Sequence, residues 1–373
     1  MRGVERRRTP LPRPARLAPI ALAIAFLASY ITANAAPGTT TYADIEAFSY
    51  SQAVPVEAAF NDWRGPFHGG TTALLYSKAE AGVVGRHWRF GLLSRLDYQL
   101  QFSPDAAEFY HRTSNRQNLD IGRDYAIDIT AKHFFGSGFR LGYQHTPLPG
   151  VTLEFGLSYL EGQRLIDGTL TGRAKAITPN DYQFDLMANY YYSRDVLFQR
   201  QVDTPSGQGY STDLRLAWQP NEDLRAQLTV TDLLARVRWQ EAPYTRASGT
   251  SATKEYDEQG YVRFKPLLSG IEDNQDYTQK LPTRANLSAQ YSLTRRFSAL
   301  GNVFYTEPRT FSSVGLAWQP ASGIEWQGIY NTTIQSYTLR AGTRQWRIGA
   351  TMDTFDFKQA RVLGAELQFN QLF

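Results

Sequence analysis

The feature that most constrains this chain is a two-residue alternation of apolar and polar side chains, sustained over segments too long for an ordinary sheet. From Trp88 to Phe102, the apolar set Trp88, Phe90, Leu92, Leu96, Tyr98, Leu100 and Phe102 has one parity, and Arg89, Arg95, Asp97, Gln99 and Gln101 have the other. Only Leu93 and Ser94 interrupt. The pattern returns in Val151, Leu153, Phe155, Leu157 and Tyr159 against Thr152, Glu154, Gly156 and Ser158. It returns again in Tyr182, Phe184, Leu186, Ala188, Tyr190 and Tyr192 against Gln183, Asp185 and Asn189. Successive side chains of a strand point to opposite faces, so each segment has one apolar and one polar wall. Aromatic residues fall near the segment ends, with Trp88 and Phe102, or Tyr190 and Tyr192, placed where an interfacial girdle is needed.

Further segments of this kind cover residues 125–135, 139–145, 210–218, 224–239, 285–293, 297–305, 310–318, 324–330, 346–354 and 363–373. Many reach nine residues or more. A tilted membrane strand needs about 9 to 11 residues, whereas strands of soluble sheets average about 5 to 6. Short turns at 146–150, 220–223, 293–296 and 320–323 contrast with longer polar segments near 103–123, 199–209 and 241–281. That asymmetry is the habit of a barrel with periplasmic turns and extracellular loops. Leu216-Ala217-Trp218-Gln219-Pro220 recurs as Leu316-Ala317-Trp318-Gln319-Pro320, each time ending a strand and opening a turn. In the strand from Leu224, the apolar parity runs through Leu228 and Val230 and then passes to Leu233, Ala235, Val237 and Trp239. A β-bulge near Asp232, or two shorter strands meeting at a kink, accounts for the change.

The amino terminus is read separately. Arg2, Arg6, Arg7, Arg8, Arg13 and Arg16 precede an apolar run over 17–31 and then Ala33-Asn34-Ala35, the order of a secretory signal peptide cut before Ala36. A retained anchor is the alternative, but a span needs about 20 apolar residues. Residues 1–35 hold six of the 39 basic and one of the 35 acidic residues, leaving 33 against 34. The pI of 9.1 therefore reports the export signal and gives no support for a nucleic-acid partner. Cysteine is absent, which excludes disulfides, thiolate metal sites, a catalytic Cys and a lipoprotein acceptor. The mean hydropathy of −0.41 is that of a polar protein, yet Tyr 22, Phe 21 and Trp 7 are too many for a polar surface. An exported, Cys-free, aromatic chain in which every second residue faces lipid has this composition.

The expected fold is all-β, a transmembrane antiparallel up-and-down β-barrel. Roughly 300 residues at about 20 to 24 per strand and connection give about 14 strands, with 12 to 16 as the range. The division is a cleaved signal peptide over 1–35, an N-terminal plug or periplasmic extension over 36–70, and the barrel over 71–373. The 36–70 segment is set outside the wall because it alternates poorly and contains Pro55, Pro66 and Gly69-Gly70. A soluble β-sandwich alternates too, but with shorter strands and more than one domain at this length.

The chain finishes Leu363-Gly364-Ala365-Glu366-Leu367-Gln368-Phe369-Asn370-Gln371-Leu372-Phe373. Here it resembles bacterial outer-membrane β-barrel proteins as a class, whose last strand ends in Phe and is read by the barrel-assembly machinery. The resemblance implies a cell outer-membrane location, Phe373 as the insertion signal, and outer-membrane lipid as surroundings. Gln371 departs from the apolar residue that pattern prefers. The segment Tyr110-His111-Arg112-Thr113-Ser114-Asn115 resembles the His-x-Ser-Asn sequence of outer-membrane phospholipases and lipid A deacylases. Ser114, however, is three residues from His111, so an extended backbone sends the two to opposite faces. Thr113 has the right spacing but a secondary hydroxyl.

No cofactor motif is present, and the histidines at 68, 87, 111, 133 and 145 lack metal-ligand spacing. Glu272, Asp273, Asn274 and Asp276 form an acidic group without EF-hand spacing, and 257–260 reads as a hairpin turn. The polar wall is more informative, because inward residues of a barrel govern what enters it. Arg89, Arg95, Asp97, Asp128, Lys132, Asp213, Arg215, Arg236 and Arg238 are expected to face the lumen. The leading expectation is a porin-like channel or substrate-specific transporter and no enzyme. The alternatives are a structural or assembly barrel that binds a polysaccharide or protein partner, and a lipid hydrolase using His111. Uptake of hydrophobic molecules, in the general plan of long-chain fatty-acid transporters, is a variant of transport.

Overall fold

The computed structural model describes residues 40–59, 63–251, 254–256, 262–264 and 268–372. In hydrocarbon no water satisfies a free N–H or C=O, so a membrane sheet must close on itself. Fourteen strands do so among the described residues. In chain order they are β1 (Thr40–Ser51), β2 (Thr72–Val84), β3 (Trp88–Phe102), β4 (Asp124–Leu148), β5 (Val151–Thr178), β7 (Gly207–Trp218) and β8 (Leu224–Thr250). They continue with β12 (Arg284–Ser292), β13 (Phe297–Thr306), β14 (Arg309–Trp318), β15 (Glu325–Asn331), β16 (Ser336–Gly342), β17 (Trp346–Met352) and β18 (Val362–Leu372). Each pairs antiparallel with the next, and β1 pairs with β18 to close the ring.

Strands β4, β5 and β8, of 25, 28 and 27 residues, outgrow the ring. Their upper ends join β6 (Asp181–Tyr192) and β11 (Leu268–Lys280) in an extension, where β6 pairs with β5 and β8, and β11 pairs with β8. The short hairpin β9 (Lys254–Tyr256) with β10 (Val262–Phe264) flanks the expected 257–260 turn, which lies outside the described residues. The turns at 146–150, 220–223, 293–296 and 320–323 lie at the end opposite the extension, together with the start of β1 and the end of β18. Trp88, Trp218, Tyr291, Phe297, Trp318 and Trp326 ring this periplasmic end with exposed aromatic side chains. The repeated pentapeptide thus supplies two girdle tryptophans, each followed by a turn. Toward the other end, Tyr159, Tyr210, Tyr305 and Tyr337 form the second exposed belt.

One boundary is corrected. Residues 36–70 were expected outside the wall, as a plug or periplasmic extension, yet β1 is hydrogen-bonded on both edges, to β18 and to β2. Its alternation is faint because the membrane side carries mostly Thr41, Ala43, Ala47 and Ser49, while Tyr42, Phe48 and Tyr50 point inward. Residues 52–59 and 63–71 then cross the extracellular rim, including the one-turn helix α1 (Val56–Ala59). A plug can be cut away from a barrel, whereas a seam strand cannot. Deletion of residues 40–51 should therefore abolish the compact, heat-modifiable form on a cold gel; retention of that form would show that β1 is dispensable.

The segments 125–135 and 139–145 prove to be one strand, β4. Gly136 and Gly138 look like a break but permit close packing, since a Cβ at Gly136 would stand 2.7 Å from the Phe134 ring. The bulge near Asp232 is present: Asp232 has φ +58 and the β7–β8 register shifts beside it. It inserts two residues into β8, so odd-numbered side chains face the lumen on both sides of it.

The polar segment 103–123 contains a helix, α2 (Pro104–Ser114). Ser103 caps it, its Oγ accepting from the Ala106 N–H at 3.1 Å, with Pro104 in the first turn. Its buried face, Ala106, Ala107 and His111, packs with Trp63 and Ala53 against Tyr125 and Ile127 of β4 and Ala174 of β5. On β4 these residues share a side with Phe139, Leu141 and Tyr143, which face lipid lower down. One side of one strand is therefore coated by lipid below and by protein above. For this reason Phe102, Tyr190 and Tyr192, expected in a girdle, are core residues.

Candidate functional site

The lumen begins as a set of inward side chains on neighbouring strands. Arg89 on β3 donates to Asp44 at 2.7 Å and to Glu80 at 3.4 Å. Arg140 on β4 bridges Glu154 at 2.9 Å and Asp213 at 3.0 Å, and Arg215 reaches the other oxygen of Glu154 at 3.4 Å. Glu80 and Glu154 are about as buried as an apolar core residue, at 4% exposed each. Buried carboxylates survive ionised only when paired this closely.

Higher up, opposite walls touch. Arg95 on β3 crosses to Asp232 on β8 through a two-pronged contact of 2.7 and 2.8 Å, and also pairs with Asp97. Asp97 meets Arg284 of β12, and the Gln99 amide donates to the Glu307 carbonyl. Phe48 and Tyr76 of β1 and β2 lie against Phe304 of β13, with Phe311 of β14 edge-on to Phe48 at 5.9 Å. Arg309 at the start of β14 donates to Gln52 and Thr71, both at 2.8 Å. Among and above these ions, Leu93, Phe134, Leu160, Leu165, Val237 and Trp239 form an apolar layer inside the barrel. The extracellular part of the lumen is thus shut by a charged lattice and an apolar stopper.

The outer side of the same strands is concave. Ser49, Leu75, Leu96, Tyr98, His133 and Ile166, all on the membrane-facing side of β1–β5, line one groove of about 2190 Å³. Val56 and Trp63 roof it, and the strap over 193–206 flanks it. The strap turns around Asp195, whose carboxylate accepts from Tyr190 and from the backbone N–H groups of Leu197, Phe198 and Arg200 at 2.7 to 3.0 Å. Burial pushes that carboxyl up, but the Phe198 N–H and the Tyr190 hydroxyl outweigh it and hold the group below the usual carboxylate range.

Five of the nine expected lumen residues, Arg89, Arg95, Asp97, Asp213 and Arg215, converge in the lattice. Lys132 has the inward parity but sits higher, beside a cavity of about 20 Å³ with Gln99 and Gln279. Asp128 shares that side and is exposed on the extension. Arg236 and Arg238 are corrected: they point outward, Arg238 pairing with Asp276 at 2.8 Å. The expectation took apolar residues as outward everywhere, whereas above Asp232 the barrel interior is apolar and the outside is wet. The sequence reading missed Glu80, Arg140, Glu154, Asp232 and Arg284. Their signal was available, since charges of inward parity within lipid-length strands have nowhere else to go.

The His111 segment lies on a helix. His111 stacks on Phe67 at 4.8 Å with Nε2 3.0 Å from the Gly65 carbonyl, Thr113 Oγ1 donates to the Phe109 carbonyl, and Asn115 donates to the Trp63 carbonyl. His111 and Asn115 hold α2 to the rim, while the Thr113 bond stays within the helix. Among the described residues no group of three or more His, Asp and Glu side chains converges as a metal site, and Glu272 and Asp276 pair with Arg200 and Arg238. The 1–35 signal and Phe373 lie outside the described residues.

A closed antiparallel ring of strands with two aromatic belts, whose charged side chains between those belts lie on the inner wall among the described residues, defines an outer-membrane β-barrel. The chain belongs to the family described as Family of unknown function (DUF5723), whose profile matches residues 81–344. No curated protein sequence matches. Among solved structures, the chain is similar to a TodX deltaS2S3 mutant monoaromatic hydrocarbon channel, with 10% identity, TM-score 0.45 and 91% of each chain covered. It is also similar to the P. putida toluene transporter TodX, with 10% identity, TM-score 0.41, and 90% and 89% covered. The translocator domain of the autotransporter NalP from Neisseria meningitidis shares 10% identity at TM-score 0.32, with 96% of each chain covered.

Proposed function

We propose that this protein is a substrate-selective outer-membrane channel that rests closed, exported by the cleaved 1–35 segment and inserted by the barrel-assembly machinery through its last strand. One observation carries the reading. The lumen is hollow at the periplasmic end and shut at the extracellular end by ion pairs and ring contacts, which can part without breaking the wall. A barrel meant only as a scaffold has no use for a hollow half. Selectivity is assigned to the lattice of Arg89, Arg95, Asp97, Arg140, Asp213 and Arg215, since any solute must displace it.

Reconstituted in a planar bilayer, the mature chain should hold near baseline with brief openings, and weakening the seal should lengthen them. A chain that stays silent even with the seal removed carries no passage. The second reading, a barrel that docks a polysaccharide or protein partner, draws on the outer groove of about 2190 Å³. Substitutions on the groove floor that leave conductance intact but abolish capture of a polysaccharide would favour it.

A further inference from the structure

Beneath the lattice the lumen widens into a cavity of about 430 Å³, inside the range of about 300 to 1,000 Å³ usual for small-molecule sites. Its wall, drawn mainly from β7, β8 and β12–β17, sets polar side chains such as Gln227, Gln290 and Asn302 beside apolar ones such as Leu300 and Ile329, and it holds Arg225, Arg340 and Arg347. Arg340 is neutralised by Glu366. Arg225 on β8 and Arg347 on β17 make no ion pair among the described residues, although they face the same cavity from different strands of its wall.

The acids around them are already occupied. Glu154 serves Arg140 and Arg215, Asp44 serves Arg89, and Glu325 accepts from the Gln327 amide at 2.6 Å. Glu46 faces the lumen two register positions above the row Arg347, Gln368, Asp44, and accepts from the Tyr76 hydroxyl at 2.7 Å. Two guanidinium groups are therefore left without an ion-pair partner among the described residues, in a chamber whose wall mixes amides and hydroxyls with apolar side chains.

We propose that this periplasmic vestibule binds a small hydroxylated organic anion, of the sugar-phosphate class, drawn in by the charges of Arg225 and Arg347 on the two sides of the cavity, with its hydroxyls on the Gln and Asn amides. Arginine is suited to this because its planar fork meets carboxylate or phosphate oxygens in pairs. The inference goes beyond the passage reading, since a vestibule can hold a solute that never crosses.

The test is calorimetric titration of the detergent-solubilised mature barrel with glucose 6-phosphate and, in parallel, with glucose. The phosphate ester should bind and the neutral sugar should not. Arg225→Gln and Arg347→Gln should each weaken binding roughly tenfold, the loss of one charge-assisted contact. The double variant should abolish it, with Arg225→Lys retaining part. Equal binding of glucose, or a double variant that binds like the wild type, overturns the proposal. Should the arginine variants not fold, the wild-type comparison decides alone: no preference for the ester is fatal. Binding with a silent bilayer would remove the channel and keep the vestibule site.

Discussion

Replacing Asp232 by Ala should turn a resting barrel into a conducting one. Asp232 is 1% exposed and holds both prongs of Arg95 together with the Ser211 hydroxyl at 2.8 Å. Removing it leaves a buried guanidinium with only Asp97, which Arg284 also claims. Breaking one partner of such a pair costs about 3 to 5 kcal/mol. The contact joins opposite walls, so that cost falls on the seal rather than on the ring of backbone hydrogen bonds. The expected result is long-lived current steps in a bilayer, with the heat-modifiable form retained at a lower midpoint. A control separates opening from unfolding. Arg95→Met with Asp232→Leu removes both charges, and an apolar replacement of a buried pair is often neutral or stabilising. This double variant should regain thermal stability and fall silent again. If D232A stays at baseline current while folded, the lattice is not the gate.

The largest effect on folding is expected at Trp239. Its ring is fully buried, edge-on to Phe134 at 6.3 Å, with Nε1 donating to Gln279 at 3.3 Å. It rests on two glycines of neighbouring strands, where a Cβ at Gly162 or Gly207 would stand 2.6 or 2.7 Å from it. Trp239→Ala should cost about 3 to 5 kcal/mol, the range for a large buried aromatic. Because this residue sits where the ring gives way to the extension, the loss should loosen the upper sheet before the membrane wall. Limited proteolysis should cut the variant within 193–206 while a protected core remains. Gly162→Val, which pushes against the ring from the other side, should do the same. A wild-type cleavage pattern in both would show that the stopper does not support the extension.

The fold was legible because a lipid-facing strand has no choice about its parity. Trp88, Phe90 and Leu92 could only point outward, and the tight turns then fixed which end was which. The strand β1 was not legible, because a wall strand may face lipid with Ala and Ser when larger neighbours cover the belt. The helix α2 was hidden for a different reason: its polar residues satisfy the expectation for a loop, and only Ser103 followed by Pro104 marks a helix start. For the site, the structure brings charges of lipid-length strands such as Arg95 and Asp213 into the inner lattice. Arg236 and Arg238, above the membrane, point outward instead. The rule "apolar outward" belongs to the solvent outside the wall, and that solvent changes from hydrocarbon to water partway along β8. Asp232 marks the change, and alternation alone cannot report it.

The seam between β1 and β18 has a kinetic consequence. Thr41 and Gln371, which hydrogen-bond across it, are 330 positions apart, while the wall's hairpins join strands adjacent in sequence. Loop-closure entropy grows only slowly with length, but a pairing between distant segments must wait for everything between them to be in place. Until then the growing sheet carries two bare edges, each a template for any other extended chain. Assembly of this barrel is therefore a race between one final long-range pairing and off-pathway edge contacts, and slowing closure should cost yield long before it costs the stability of the finished wall.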